Sequence, residues 1–326
     1  MTSPVIVVGM PRSGSTLLTR ILNESSALFI VNDFYFLQYV DSINRLDNKN
    51  LETGKILAKD IVRRIQARIE RKDSPELECG LYFSAEDEQK LKKFIRNQLN
   101  LEKSTWYDLL EQIMSFSASL LGKTSWGYNT PQDYLHIPRL KRHFPNAKFI
   151  YMMRDPRAVL RSYKHVKSNG YHETNRYHPI LQGLAWRTAI QSFWQQKSQG
   201  NCILIRYEDL IANTNTELSH LSKFLGCNFS QININRFGNN SSFKNKNKKL
   251  SLSDTEIWLC EQITGKEMQA VGYTLSGVKP RFKDAPFMTY LTARASIFYL
   301  SKIILSADVR KRVTKLLKKQ EDNINF

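Results

Sequence analysis

The absences in this sequence narrow its chemistry before any motif is considered. Its four cysteines, Cys79, Cys202, Cys227 and Cys260, form no C-x-x-C pair and have no histidine at a metal-ligand spacing. Neither a disulfide framework nor a zinc site is indicated. The apolar run at residues 5–8 begins almost at Met1, with no room for a basic segment, an apolar core and a small-residue cleavage site. No secretory signal is expected, and the cytoplasm is the default address. No repeat of fixed period is visible. Few aromatic residues stand among the basic ones, which makes a poor stacking platform for single-stranded nucleic acid, so nucleic acid is not expected as a partner.

Positive charge is abundant instead. Against 30 Asp and Glu stand 48 Lys and Arg, a net charge of +18. Such a field draws in acidic glycans, anionic lipids or nucleotide phosphates, and charge alone does not choose among them. Much of the excess lies in Lys244, Lys246, Lys248 and Lys249, within a segment rich in Asn, Ser and Lys that reads as a basic loop, and between Lys302 and Lys319. The chain of 326 residues is 41% hydrophobic, enough for one substantial core or two modest ones.

Short apolar runs at residues 5–8, 28–31, 148–152 and 202–205 each feed a turn or a helical pattern. That alternation predicts an α/β fold, a P-loop-like parallel sheet flanked by helices. Between the second and third runs, Ile56, Leu57, Ile61, Ile65 and Ile69 share one helical face, and Trp106, Leu109, Leu110 and Ile113 share another. This predicts a helical insertion over about residues 40–125 and not a second sheet. Residues 1–283 read as the main domain and 284–326 as a basic, amphipathic helical tail. In that tail Arg294 and Lys302 interrupt an apolar stretch, leaving it too short and too charged to span a bilayer easily. A helix packed on the core, a dimer contact, or an interfacial helix on anionic lipid are the readings left open.

Straight after the first run comes Gly9-Met10-Pro11-Arg12-Ser13-Gly14-Ser15-Thr16, then the helical pattern Leu17, Leu18, Ile21, Leu22. A strand, a glycine-containing loop and a helix N-terminus expose backbone N–H groups and the positive end of a dipole, which is an anion site. The glycine spacing is that of a P-loop. The lysine such a loop carries after its second glycine is replaced by Ser15, while Arg12 inside the loop can bridge two oxygens of a phosphate or sulfate. A second pairing stands further on. Residues 149–153 lead into Arg154, placed at a strand's carboxyl end where open α/β sheets bind ligands. Asp155 is a plausible N-cap, Pro156 suits a first helical turn, and Ser162 falls about two turns along.

Pro11-Arg12-Ser13-Gly14-Ser15-Thr16-Leu17-Leu18 resembles the 5'-phosphosulfate loop of the sulfotransferase superfamily, in its tyrosylprotein and bacterial variants. Arg154 and Ser162 resemble that family's 3'-phosphate site. Residues 144–149, 206–210, 240–243 and 268–273 also look like family segments, so the likeness covers about residues 4–275. It implies a metal-independent transfer of a sulfuryl group from 3'-phosphoadenylyl sulfate, leaving 3',5'-diphosphoadenosine, to a hydroxyl or amine of a small-molecule, lipid or saccharide acceptor. Pro11, Arg12, Ser13, Gly14, Ser15 and Thr16 would hold the phosphosulfate, Arg154 and Ser162 the 3'-phosphate, and Tyr207 with Ser241 or Ser242 would lie near the nucleotide. In the tyrosylprotein branch the general base is a Glu just beyond the second strand, and a gapless alignment from Arg12 puts Asp33 there. His165, His172 and His178 are rivals for that role. One departure stands out, since the family commonly has Lys where this chain has Asn129, so that either another cation such as Lys244 or Lys123 substitutes or turnover is slow. A P-loop kinase or nucleoside triphosphatase is the first alternative, and a polyanion-binding protein that retains the fold without catalysis is the second.

Overall fold

The computed structural model describes residues 3–37, 40, 84–99, 105–165, 177–229, 232–234 and 251–305. Contacts group these into two units, Met1–Asp155 with Thr188–Lys244, and Pro156–Arg187 with Asn245–Phe326.

Among the described residues the first unit is built on five strands, β1 (Val5–Gly9), β2 (Leu28–Val31), β3 (Ser125–Asn129), β4 (Lys148–Met153) and β5 (Cys202–Arg206), in the spatial order β2-β3-β1-β4-β5, with α4 (Ile137–His143) between β3 and β4 in the chain. Every pairing is parallel. The four apolar runs are therefore strands. The fifth, β3, was not legible as one and lies at the edge of the expected helical insertion. Within that insertion, α2 (Ala85–Leu99) and α3 (Trp106–Leu120) bear out the helical reading, and the pattern at residues 55–72 lies outside the described residues.

Both faces of the sheet are covered, which explains why its strands read as continuous apolar runs. Ile6, Val8, Phe29, Trp126, Tyr128, Phe149 and Tyr151 face one core with Leu110, Ile113 and Met114 of α3. Val5, Val7, Leu28, Ile30, Ile150, Met152 and Ile205 face the other core. There they meet Leu18, Ile21 and Leu22 of α1 (Ser15–Asn23), along with helices α7 (Tyr207–Ala212) and α8 (Thr214–Leu225). Caps and clamps fix the element ends. The Thr105 hydroxyl accepts from Asp108 N at 3.2 Å while Thr105 N donates back to Asp108 at 2.9 Å, a capping box that starts α3. Asn23 at the end of α1 accepts from Ile30 N at 2.7 Å and donates to Ile30 O at 2.9 Å, locking α1 to β2.

The chain leaves β1 toward β2 on one side and leaves β4 toward β5 on the other. The carboxyl ends of β1 and β4 thus flank a topological switch point, where open α/β sheets form a ligand crevice. Gly9 pairs with Met152, so the loop after β1 and Arg154 after β4 emerge side by side.

The second unit holds α5 (Pro156–His165), α9 (Asp254–Ala270) and α10 (Ala285–Leu305), with the first half of α6 (Pro179–Lys197). Buried carboxylates join α5 to α9. Glu261 meets Arg157 at 2.8 Å and also accepts from Ser276 N at 2.9 Å. Glu256, fully buried, meets Lys164 at 2.7 Å, accepts from the Tyr177 hydroxyl, and closes a capping box with Ser253. Removing either base would strand a buried carboxylate, which is costly.

Sheet closure depends on one close approach. A Cβ at Gly127 would stand 2.0 Å from Val5 O and 2.7 Å from Ile30 Cδ1, so β3 enters between β1 and β2 only with glycine there. Gly127→Ala is expected to destabilise the protein by at least about 1–3 kcal/mol. Urea denaturation followed by circular dichroism checks this through a lowered midpoint.

Candidate active site

The loop between β1 and α1 changes backbone hand repeatedly. Gly9, Arg12 and Gly14 all have positive φ, at 135°, 73° and 97°. Backbone that alternates hand in this way turns successive N–H groups into one concavity that suits an anion. Helix α1 then starts at Ser15 with no side-chain cap, and its first bonded amide is Leu18 N, to Gly14 O at 3.1 Å. The N–H groups of Ser15, Thr16 and Leu17 precede any partner within the helix. Ser13 is fully buried, and its hydroxyl oxygen has no hydrogen-bond partner. An uncapped helix start beside an orphaned buried hydroxyl fits a phosphate or sulfate held by this loop.

Arg12 and Asp33 are the two non-glycine residues with positive φ among the described residues, at 73° and 50°. Each follows a strand end, Arg12 after β1 and Asp33 after β2. Such conformations cost free energy that the surroundings must offset, and they concentrate at functional sites. Here the surroundings are hydrogen bonds. The Asn129 side-chain amide, fully buried at the end of β3, donates to Ser15 Oγ at 3.2 Å and to Asn32 Oδ1 at 2.5 Å. Asn32 in turn donates to Thr16 Oγ1 at 3.4 Å. On the backbone, Phe34 N donates to Asn129 O at 3.0 Å and Thr130 N to Val7 O at 3.1 Å. Residues 15, 16, 32, 33 and 129 are thereby brought to one place.

Arg154 joins them through Tyr207. Gly14 presses against the Tyr207 ring so closely that a Cβ there would lie 2.5 Å from Cδ2. The Arg154 guanidinium sits over the same ring, 4.5 Å from its centroid, within cation–π range. Tyr207 opens α7, whose second residue, Glu208, accepts a hydrogen bond from Asp155 N at 3.1 Å and so fixes the turn that carries Arg154. Burial pushes the Tyr207 phenol up, Arg154 opposes that, and Glu208 adds to it, so the ring stays neutral at physiological pH. Loop, Tyr207 and Arg154 are contiguous within the first unit.

Other expected residues fare differently. Ser162 is buried on α5, in the second unit. Ser241, Ser242, Lys244 and His172 lie outside the described residues, as does the His165 side chain. His178 is buried, its Nε2 meets Thr292 Oγ1 at 3.1 Å, and burial lowers its pKa. It is a buried histidine of the second unit, packed against the tail helix. Lys123 does not replace the missing lysine. Its ammonium group is spent on Asn23 O at 3.1 Å and on Ser25 O, before the start of β3 and at the opposite end of the sheet from Arg12. Sequence reasoning missed Asn32 and Glu208. Asn32 was marked only by its position between a strand and Asp33, and Glu208 by being one of two acids, with Asp209, in the first turn after β5.

Comparison with known proteins converges on one family. A family model described as "Sulfotransferase family" matches residues 4–231. A putative protein-tyrosine sulfotransferase of Caenorhabditis elegans is 34% identical over 105 residues, 31% of this chain and 39% of that protein. Protein-tyrosine sulfotransferase 2 of Gallus gallus is 32% identical over 96 residues, 28% of this chain and 25% of that protein. The matches thus span well under half the length of these curated relatives. Among solved structures, the sulfotransferase domain of a Synechococcus PCC 7002 olefin synthase aligns with a TM-score of 0.47 and 16% identity, over 92% of this chain and 96% of that one.

The Asn129 bridge gives a direct prediction. Asn129→Ala removes the donor to two side chains at a fully buried position and leaves Asn32 Oδ1 without it. A loss of about 1–3 kcal/mol in folding stability is expected, read from urea denaturation midpoints. Asn129→Asp, which sets a carboxylate against Asn32 Oδ1, is expected to lose more.

Proposed function

The chain belongs to the sulfotransferase family, and from that premise we propose that it transfers a sulfuryl group from 3'-phosphoadenylyl sulfate to a hydroxyl or amine acceptor. One observation carries the reading. The uncapped, left-handed loop at residues 9–16 and Arg154 stand at the carboxyl ends of adjacent strands and are joined by the Tyr207 ring. That arrangement suits a ligand with anionic groups at two separated points, which a nucleotide bearing both a 5'-phosphosulfate and a 3'-phosphate supplies.

The residues take distinct roles. Backbone amides of residues 13–16 and the Arg12 guanidinium hold the phosphosulfate and stabilise charge growing on the departing phosphate oxygen. Arg154, steadied by Tyr207, takes the 3'-phosphate. Asp33 accepts the proton that the acceptor hydroxyl loses as it attacks sulfur in line. Its left-handed backbone and the Asn32–Asn129 bridge hold it at the mouth of β2. Asn129 brings no charge, so Arg12 is the cation on the moving group that this chain supplies from its described residues. Because relatives over part of the chain are named protein-tyrosine sulfotransferases, a tyrosyl phenol is the first acceptor to try.

Arg12→Ala and Arg154→Ala each remove charge-assisted bonds worth about 1.5–3 kcal/mol, so calorimetry should show roughly tenfold to hundredfold weaker binding of 3',5'-diphosphoadenosine. Unchanged affinity in both would remove the assignment. Asp33→Asn keeps the size and suits the left-handed backbone, yet cannot take the proton. Its kcat for transfer of radiolabelled sulfate should fall by about 10²–10⁴, with nucleotide affinity within a few-fold of the unsubstituted protein. Normal turnover by that variant would place the base elsewhere.

A further inference from the structure

The tail helix of the second unit is apolar on two opposite faces. On one, Leu291 and Ala295 are 1% and 3% exposed, packed into the unit. On the other, Tyr290, Ile297 and Leu300 lie open, Ile297 at 68% exposure, and Ala293 falls between them at the three-four spacing of a continuous stripe. The turn before the helix, Phe282–Asp284, adds Phe282 at 99% exposure. Isolated exposed apolar residues need no explanation, but an open stripe preceded by a fully exposed phenyl marks a docking surface.

The charges around this stripe identify its occupant. Exposed Lys279 and Lys283 flank Phe282, the neighbouring Arg281 pairs with Asp254, and Arg294 lies over the Tyr290 ring, 5.4 Å from its centroid. Across residues 279–305 there are five basic residues and one acidic one, Asp284, and residues 306–326 carry six more basic residues against three acidic ones. The same three-four spacing would serve a coiled-coil seam with a second copy. Such a seam pairs opposite charges along its flanks, whereas here a second copy would set like charge against like. A coiled coil would also leave Phe282, which precedes the helix, uncovered. Among the described residues no helix is long and apolar enough to cross a membrane. An apolar stripe flanked by cations that lies on a surface, and does not span it, matches an anionic lipid interface.

We propose that Phe282 and the Tyr290–Ile297–Leu300 stripe form a surface that docks the second unit onto an anionic lipid bilayer. The apolar side chains enter the acyl boundary while Lys279 and Lys283 remain at the headgroups, with their stems along the apolar surface. This goes beyond the proposed transfer reaction and does not depend on it.

Flotation of the full chain with vesicles provides the test. Binding is expected to phosphatidylcholine vesicles containing phosphatidylserine, to be far weaker with phosphatidylcholine alone, and to fall as salt rises toward 1 M, where screening shortens the reach of charge to about 3 Å. Phe282→Ser, and separately the pair Ile297→Asp with Leu300→Asp, replace exposed side chains. Each should weaken binding roughly tenfold or more with an unchanged melting temperature. Phe282→Ser keeps the test decisive if the paired variant misfolds. Failure of the unsubstituted protein to bind the anionic vesicles, or undiminished binding by Phe282→Ser, overturns the proposal. So does a lipid-free dimer in sedimentation that Ile297→Asp separates, since the stripe would then be a self-contact.

Discussion

The side-chain amide of Asn129 is the interaction on which the candidate site depends. It sits at the end of a strand that pairs with both β1 and β2, and its two donated bonds reach the first residue of α1 and the residue before Asp33. Two backbone bonds at the same level tie residue 34 to Asn129 and Thr130 to Val7. The carboxyl ends of three strands are held together there, and two non-glycine residues, Arg12 and Asp33, keep left-handed backbone beside them. Asn129 acts through its Nδ2 alone, donating to Ser15 Oγ and Asn32 Oδ1, and it does so without placing a charge in this buried position. The neutral residue therefore has a structural reading in this chain. It trades a cation for a junction that orders both the loop and the carboxylate.

A second constraint runs through Tyr207. Its ring fills the space that only glycine leaves at position 14, and it carries the Arg154 guanidinium on its face. Raised by burial, the phenol stays neutral and offers no competing charge. The turn bearing Arg154 is in turn fixed by Glu208. The candidate binding groups that follow β1, β4 and β5 are thus set by packing, an arrangement that limits the ordering cost of holding a ligand.

Much of this was legible in the residues, for physical reasons. Strands buried on both faces must be continuously apolar, so β1, β2, β4 and β5 could be read directly. Strand β3 could not, because Ser125, Gly127 and Asn129 interrupt the apolar pattern. Gly127 is there for a close backbone approach and Asn129 for a junction, neither of which leaves a periodic mark. Arg12, Gly14 and Arg154 could be located from loop spacing and strand ends. The partners that position them could not, because Asn32, Asn129 and Glu208 act across separations of 16 to 114 residues. Lys123 illustrates the reverse error. Near Asn129 in sequence, it lies at the other end of β3, capping carbonyls of residues 23 and 25.

The central claim is that this loop and Arg154 select a doubly anionic adenosine nucleotide and do not operate as a nucleoside-triphosphatase loop. Calorimetric titration of the full chain with 3',5'-diphosphoadenosine, adenosine 5'-phosphate and ATP with magnesium tests it most directly. The account predicts that 3',5'-diphosphoadenosine binds without metal and at least roughly tenfold more tightly than either other ligand, a margin of about 1.4 kcal/mol. Tighter binding of ATP with magnesium, or equal affinity for the 5'-phosphate alone, would contradict it.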